Sequence, residues 1–496
     1  MRCSPNRPAA VVAVAGLIVS VLGATPAFAQ VVGPQVRVDP NARAGAAANE
    51  TTAAASELFP ERIVMAWNDW RQSTASEVIR TGASVSFDGG ATWNDFELRP
   101  PVSGQSGVEG DPMTAFDDRT GTLWIGAISF ASNGGLYVAR LNPGSTTFQP
   151  SRMVRVESGA DKCWMAAGPR PGLPNTTRVY IAYNRGVLFS DDMGDTWTNP
   201  VNLGTGLGFL PRIGPAGELY VAYWNAGTQL VMRKSTDGGL TFAPAIVIAN
   251  RLDTWGTQDG SRFPGNFRVP PMVYFDVNPT NGHLYAVYFD TTSISGGNRD
   301  VDLYFTRSIN GGSTWSTPAI IPDTDGGNTN ADQFFSWLEC DRSGNIHMIW
   351  NDGRNTVQAD ASTNTNAFFD TYYGISRDEG ATWTQRRLTP VSWNANNDGL
   401  NRTQQFIGDY LGVAQAGDRI YPCYIDTTPG DPNVFTNVIT SCPGDFNHDG
   451  QVDFFDYLDF VAAFNAEDRS ADFNGDAQVD FFDYLDFVQA FGIPCP

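Results

Sequence analysis

Histidine and lysine are almost missing from this chain. The three histidines are His283, His347 and His448. The first two open predicted strands and the third falls in an acidic loop, which argues against a Ser-His-Asp triad or a His-ligated zinc site. Lys162 and Lys234 are the only lysines, and the 32 basic residues are outnumbered by 53 acidic ones, for a formal net charge of −21. So acidic a chain repels phosphate backbones and anionic membrane surfaces, which disfavours nucleic acid and lipid as partners. No glycine-rich phosphate loop precedes a helix, so nucleotide chemistry has no support either. A membrane-length apolar run is also lacking. The longest, from Ala9 to Leu22, is shorter than the roughly 20 residues that cross a bilayer. With Arg2 and Arg7 before it and Ala27-Phe28-Ala29 after it, this run reads as a cleaved secretory signal over residues 1–29. The mature chain then begins at Gln30 with a charge of −23, and is expected to be secreted, extracellular or cell-surface associated, without membrane insertion.

Cysteine is scarce, and its placement suits an oxidising compartment. Cys442 and Cys495 bracket the C-terminal segment and are expected to pair. Cys340 and Cys423 fall in neighbouring repeats and are a second possible pair, leaving Cys163 as a small buried residue.

What the chain has is repetition. The octet Ser86-Phe-Asp-Gly-Gly-Ala-Thr-Trp93 returns at Ser190–Trp197, Ser235–Phe242, Ser308–Trp315 and Ser376–Trp383. In each, Asp or Asn suits an Asx-turn, Gly a left-handed position, Thr a tie across the turn, and the aromatic a place between sheets. Upstream of each octet an apolar strand ends in an aromatic followed by Asn or Asp: Trp67-Asn68-Asp69, Tyr183-Asn184, Trp224-Asn225, Phe289-Asp290 and Trp350-Asn351-Asp352. Before these come further strands opening at Glu50, Asp111, Lys162, Arg212, Arg268, Asp332 and Asp409.

These octets resemble the Asp boxes of the sialidase (BNR-repeat) family. The resemblance implies an all-β fold, a β-propeller spanning residues 30–441. Seven repeat units are counted, with a six-bladed ring carrying one irregular insertion as the alternative. The last unit lacks an outer strand, and residues 35–38 near the mature N-terminus are expected to supply it, closing the ring.

From Cys442 the composition changes. Residues Asp445, Asn447, Asp449, Gln451, Asp453 and Asp456 match a twelve-residue calcium loop, and Asp472, Asn474, Asp476, Gln478, Asp480 and Asp483 repeat it. Hard oxygen ligands in this spacing suit Ca²⁺. Behind each loop a near-identical apolar helix pattern follows. The duplicated loop-helix over residues 442–496 resembles a dockerin, a small α-helical calcium-binding module. That resemblance implies docking to a cohesin-like or other cell-surface protein. Two departures are visible: Ala477 stands where the second loop should have Gly, and Phe454-Phe455 and Phe481-Phe482 occupy the positions that usually select the partner.

In the propeller, the octets lie at turns between the two outer strands of each blade, so their acidic residues are read as structural. Chemistry is expected on the opposite face, where innermost strands begin. The sialidase resemblance implies carboxylate-binding arginines, for which Arg212 and Arg268 are candidates, and a Tyr nucleophile, for which Tyr410 is the candidate beside Asp409 and Asp111. Trp67, Trp224 and Trp350 are expected to stack on sugar rings with Asp352 nearby. Connections at 291–300 and 352–366 are expected to wall the groove. The family's Arg-Ile-Pro signature is absent from the first blade; Pro211-Arg212-Ile213 is reversed and lies elsewhere. Two readings follow: a carbohydrate-binding or scaffolding platform, preferred, and a glycoside hydrolase of sialidase-like or other polysaccharide-degrading type.

Overall fold

The computed structural model describes residues 31–492 apart from 41–45, 57, 72–78, 99–107, 131–132, 253–266, 296–297, 324–330, 356–366, 401–403, 418, 441–443, 448–451, 467–470, 472 and 474–477. Seven separate antiparallel sheets follow one another along the chain. Each begins with a strand that touches the first strands of the sheets before and after it: Ala48–Ala55, Gly110–Asp117, Trp164–Arg170, Leu207–Ile213, Val273–Val277, Gln333–Cys340 and Gly412–Ala416. The last of these also packs on the first, so the ring is closed. The molecule is a seven-bladed β-propeller, with two short helices, Phe454–Asn465 and Phe481–Phe491, after it. No helix among the described residues is long and apolar enough to cross a membrane.

Ring closure follows the expected route. Val36–Arg37 pairs with Asn433–Thr436, and Val31–Val32 pairs with Ile439–Thr440. The N-terminal segment thus completes the seventh blade, whose outer edge would otherwise present unpaired backbone groups. Gln35 Nε2 donates to Asp426 at 2.9 Å, and Arg37 pairs with Asp39 at 2.8 Å.

The octets form the turns between third and outer strands, and their geometry repeats. In the first blade the Ser86 hydroxyl donates to Asp88 Oδ1 (2.8 Å) and accepts from Gly90 N (2.8 Å). Asp88 also accepts from Thr92 N (2.8 Å) and Thr92 Oγ1 (2.5 Å). The same set recurs around Asp192, Asp237 and Asp378, and around Asn310 with the side-chain bond to Thr314 Oγ1 reversed in direction. The second glycine of the octet has a left-handed backbone and lies against the preceding blade: at Gly380 (φ 87°) a Cβ would stand 2.0 Å from the Phe305 ring. Only glycine fits there.

Because strands alternate in direction, the octets share one face of the ring with the ends of the innermost strands. The opposite face holds the beginnings of the innermost strands and the ends of the second strands. There the backbone bulges repeatedly. Pairing register shifts between Asn49 and Thr52, Gly110 and Met113, Leu207 and Leu210, and Phe334 and Trp337. Glu50 (φ 54°), Asp111 (φ 46°), Lys162 (φ 50°) and Phe335 (φ 51°) take the left-handed conformation at these openings, with Gly208 and Gly408 in the equivalent role. A left-handed non-glycine residue costs about 1–2 kcal/mol, and three charged ones in succession call for a compensating interaction.

The expected connection at 291–300 is instead a continuation of the fifth blade, since Leu284–Ser295 and Asn298–Ser308 form one long hairpin. Cys340 and Cys423 do not pair: both are free and buried, as is Cys163. The expected Cys442–Cys495 bridge lies outside the described residues. In the C-terminal unit Asp453 and Asp480 cap the two helices, each in a capping box with Asp456 or Asp483. Phe460 and Phe487 stack between the helices with ring centroids 4.0 Å apart.

Candidate functional site

The compensation for the strained strand openings is a buried ion cluster at the centre of the ring. Lys162 Nζ lies 2.7 Å from Glu50, 3.2 Å from Asp111 and 2.6 Å from Asp409, drawing together the first, second, third and seventh blades. Arg268 joins them, its Nε donating to Asp409 Oδ1 at 2.7 Å and its Nη2 lying 3.4 Å from Glu50. The backbone is tied in as well. Lys162 N donates to Asp111 Oδ2 (2.7 Å), and Asn68 donates to Glu50 Oε2 (2.7 Å) while accepting from Asp111 N (3.0 Å). The bulges turn these side chains inward, and the ion pairs hold the bulges.

Burial and charge set the protonation of the cluster. Burial drives the Glu50 carboxyl well above its usual range, with Asp111 and Asp409 reinforcing the shift against Lys162. Burial also opposes ionisation of Asp111 and Asp409. For Asp111 the Lys162 ammonium together with hydrogen bonds from Glu50, Lys162 N and Asp161 outweighs it, and for Asp409 Arg268 and Lys162 together with hydrogen bonds from Arg268 and Glu50 do, so both carboxyls end below the ordinary value. Lys162, which burial alone would discharge, is held protonated by Asp111, Asp409 and Glu50. Asp161, at the rim, is pushed up to about 6 by burial and by Asp111. Within the cluster ionisation is thus favoured at Asp111 and Asp409 and disfavoured at Glu50.

The sequence brought Asp111, Asp409 and Arg268 to this place, together with Glu50 and Lys162, but their groups are engaged with one another. Arg268 lies with its guanidinium over the Phe406 ring and is paired to Asp409. Tyr410 does not meet a carboxylate: it is 1 % exposed, and its hydroxyl has no hydrogen-bond partner among the described residues. Burial raises that phenol well above its normal value, the opposite of what an activated nucleophile needs. Arg212 is not beside Arg268 at all; it lies near the other end of its strand.

The tryptophans are also corrected. Trp67 and Trp350 are fully buried and Trp224 nearly so, and none offers a ring face to solvent. Two of them belong to a repeated lock. Trp67 Nε1 donates to Asp69, whose carboxylate pairs with Arg71; Trp350 Nε1 donates to Asp352 (2.8 Å), which pairs with Arg354 (2.6 Å). Trp224 Nε1 bonds the Gly227 carbonyl at 2.8 Å. Asp352 is therefore a structural partner of Arg354 rather than a group facing a ligand.

Beneath the ion cluster lies an aromatic layer. Trp164 packs edge-on against Tyr410 (5.2 Å between centroids) and Tyr274 (6.4 Å), and Trp337 lies tilted against Tyr274 (5.2 Å). Below that layer, opening on the octet face, is a cavity of about 340 Å³ lined by all seven innermost strands. Its charged groups are Asp118 and Arg342 at the rim and, further in, Arg212, Asp276 and Glu339, the penultimate residues of three successive innermost strands. Arg212 Nε lies 3.0 Å from Asp276, and Arg212 Nη2 donates to Glu339 at 2.8 Å. Trp337 Nε1 also donates to Glu339 (3.1 Å). Enclosure in the channel, Asp276 beside it and Arg212 opposing leave the Glu339 carboxyl at about 8. Asp276 and Glu339 were not anticipated from sequence.

In the C-terminal unit, Asn447 N donates to Asp456 Oδ1 (3.0 Å) and Asp453 N to Asp456 Oδ2 (2.8 Å). Asp483 accepts likewise from Phe473 N (2.7 Å) and Asp480 N (2.7 Å). Each final acidic residue is fully buried and closes its own loop. Among the described residues no group of three or more His, Cys, Asp or Glu is placed to hold a metal ion; Asp449, Gln451, Asp472, Asn474 and Asp476 lie outside them.

No family model matches this chain, and no curated protein does. Several solved structures are similar to it. A protein of unknown function from Dyadobacter fermentans is 14 % identical, with 82 % of this chain and 98 % of that chain covered and a TM-score of 0.45. A lectin from Burkholderia pseudomallei is 13 % identical over 78 % and 94 % of the two chains, with a TM-score of 0.43. A Hadza microbial sialidase is 19 % identical over 61 % of this chain, with a TM-score of 0.40. The match spans 63 % of that sialidase, less than two thirds of its length.

Proposed function

We propose that this is an exported carbohydrate-binding platform, a propeller whose octets are Asp boxes of the sialidase kind, displayed through a C-terminal dockerin-like module. The observation that carries the choice of platform over sialidase is the Lys162 cluster. Among the described residues, Arg268, Asp111 and Asp409, the groups the sialidase reading assigns to the face opposite the octets, are paired within the protein, and Tyr410 is buried without a hydrogen-bond partner. Arg212 and Arg268, the pair suited to a substrate carboxylate, sit in different layers, each tied to its own carboxylates.

The C-terminal module is proposed to take Ca²⁺ in both loops. Its loop residues are oxygen donors throughout, and the backbone bonds to Asp456 and Asp483 fold Asn447 and Phe473 back towards those carboxylates. On its surface Phe454, Phe455, Phe481 and Phe482 are each more than 60 % exposed, an apolar face suited to a cell-surface docking protein. Titration of immobilised neutral and sialylated glycans with the full chain tests the carbohydrate reading: saturable binding without turnover supports it, and no binding to any glycan contradicts it.

One feature favours the hydrolase reading. Asp276 and Glu339 share Arg212, and Glu339 retains its proton near neutral pH, as a general acid must. Release of a chromophore from neutral aryl glycosides is the assay for it.

A further inference from the structure

We infer that the octet-face cavity is a binding site for the end of a neutral sugar chain, a place on the opposite side of the ring from the one the sequence favours. This rests on the carbohydrate reading above and adds where the sugar sits and of what kind it is.

Three properties of the cavity carry the inference. The first is size and closure. At about 340 Å³ it falls at the small end of the roughly 300–1,000 Å³ range of ligand clefts. Its inner end is shut by Trp164, Tyr274, Trp337 and Tyr410, each under 5 % exposed, so a polymer cannot thread through and only a chain end can enter.

The second is charge. Arg212 is engaged by Asp276 and Glu339, and Arg342 at the rim pairs with Asp118 at 3.7 Å. Both arginines of the lining are thus balanced by carboxylates, and an anionic ligand would find no free cation. A ligand rich in hydroxyls, donating and accepting at once, matches such a lining.

The third is an unmet donor. Trp164 lines the cavity, is 3 % exposed, and its Nε1–H has no hydrogen-bond partner among the described residues. A buried donor in that state costs about 1–3 kcal/mol unless something in the cavity accepts from it. Nearby, the Thr52 and Thr114 hydroxyls lie 2.9 Å apart, each able to donate or accept. Indole rings beside hydroxyls and a carboxyl give a lining of mostly apolar residues with a few placed polar groups that a small hydroxylated ligand can use.

The test is a titration of the full chain with galactose, mannose, N-acetylglucosamine and L-arabinose, and with N-acetylneuraminic acid as the anionic comparison. Binding is read by tryptophan fluorescence and by saturation-transfer NMR. At least one neutral sugar should bind and the acid should not. Ala166→Phe, which puts a ring into the cavity from a half-buried position, should weaken that sugar by about tenfold or more. Glu339→Gln, which keeps the shape of the wall, should weaken it several-fold while the thermal melt stays near that of the wild type. A neutral sugar that binds the wild type, Ala166→Phe and Glu339→Gln equally overturns the site and leaves the carbohydrate reading standing. Preference for the acid overturns the charge argument and the site with it. Failure of every sugar and of every immobilised glycan overturns both.

Discussion

Asp237 stands almost in open water at an octet turn, yet the Thr241 hydroxyl and amide, with the Ser235 hydroxyl, hold its carboxyl at about 2. Its folded value lies below its unfolded one, so its contribution to stability is present above about pH 4 and is lost as pH falls through about 2. Asp237→Ala should cost on the order of 1 kcal/mol, the net worth of such exposed hydrogen bonds. The fifth blade already shows the neutral solution: Asn310 accepts from Thr314 N and donates to Thr314 Oγ1. Asp237→Asn should therefore melt close to the wild type, with less dependence on pH below 4. Lys162 is the opposite kind of residue, buried and opposed by three carboxylates. Lys162→Met leaves the Glu50, Asp111 and Asp409 carboxyls with Arg268 as their remaining cation and should destabilise the fold by about 3–5 kcal/mol. In the variant their folded values lie above their unfolded ones, so stability should recover as pH falls. Urea unfolding near pH 7 and pH 5 measures both effects, and a variant as stable as the wild type would remove the cluster from its structural role.

Elements were more legible than sites. The octets announced themselves because turn chemistry is local: Ser, Asp, Gly and Thr within eight residues make nearly all the bonds of the turn. The closing strand was legible from a deficit, a last unit short of one partner and a spare β-segment at the mature N-terminus. Trp67 and Trp350 were misplaced because an aromatic at a strand end resembles a stacking platform. What settles their burial is the Asp two residues on and the Arg four residues on, a Trp-Asn-Asp-x-Arg pattern present twice in the sequence. Asp276 and Glu339 were missed for another reason. They meet Arg212 only when three successive blades pack side by side, although aligning successive units would have placed all three at one register position. The closing strand carries a prediction. Removing residues 30–39 strips Val36–Arg37 from Asn433–Thr436 and leaves a bare edge on the seventh blade. The truncated protein should melt lower and scatter light on warming; an unchanged melt and a monomeric state would show that the strand is dispensable.

At the scale of the whole molecule, the ring and the small helical unit are expected to answer to different conditions. The helical unit buries little beyond Phe460, Phe473, Phe487 and Ala471, and acidic loops without a cation repel themselves. Calorimetry of the full chain should show a minor transition that calcium raises and a chelator lowers, while the main transition of the propeller stays in place. A single transition indifferent to calcium would contradict the metal reading. The central claim is that the ring binds sugar without sialidase chemistry, since among the described residues Tyr410 is buried without a hydrogen-bonded base and Lys162 and Arg268 are paired to carboxylates. It is tested most directly by incubating the wild-type chain and Tyr410→Phe with a fluorogenic sialoside. No turnover by either protein is the expected result; steady release of the fluorophore by the wild type that disappears in Tyr410→Phe would contradict it.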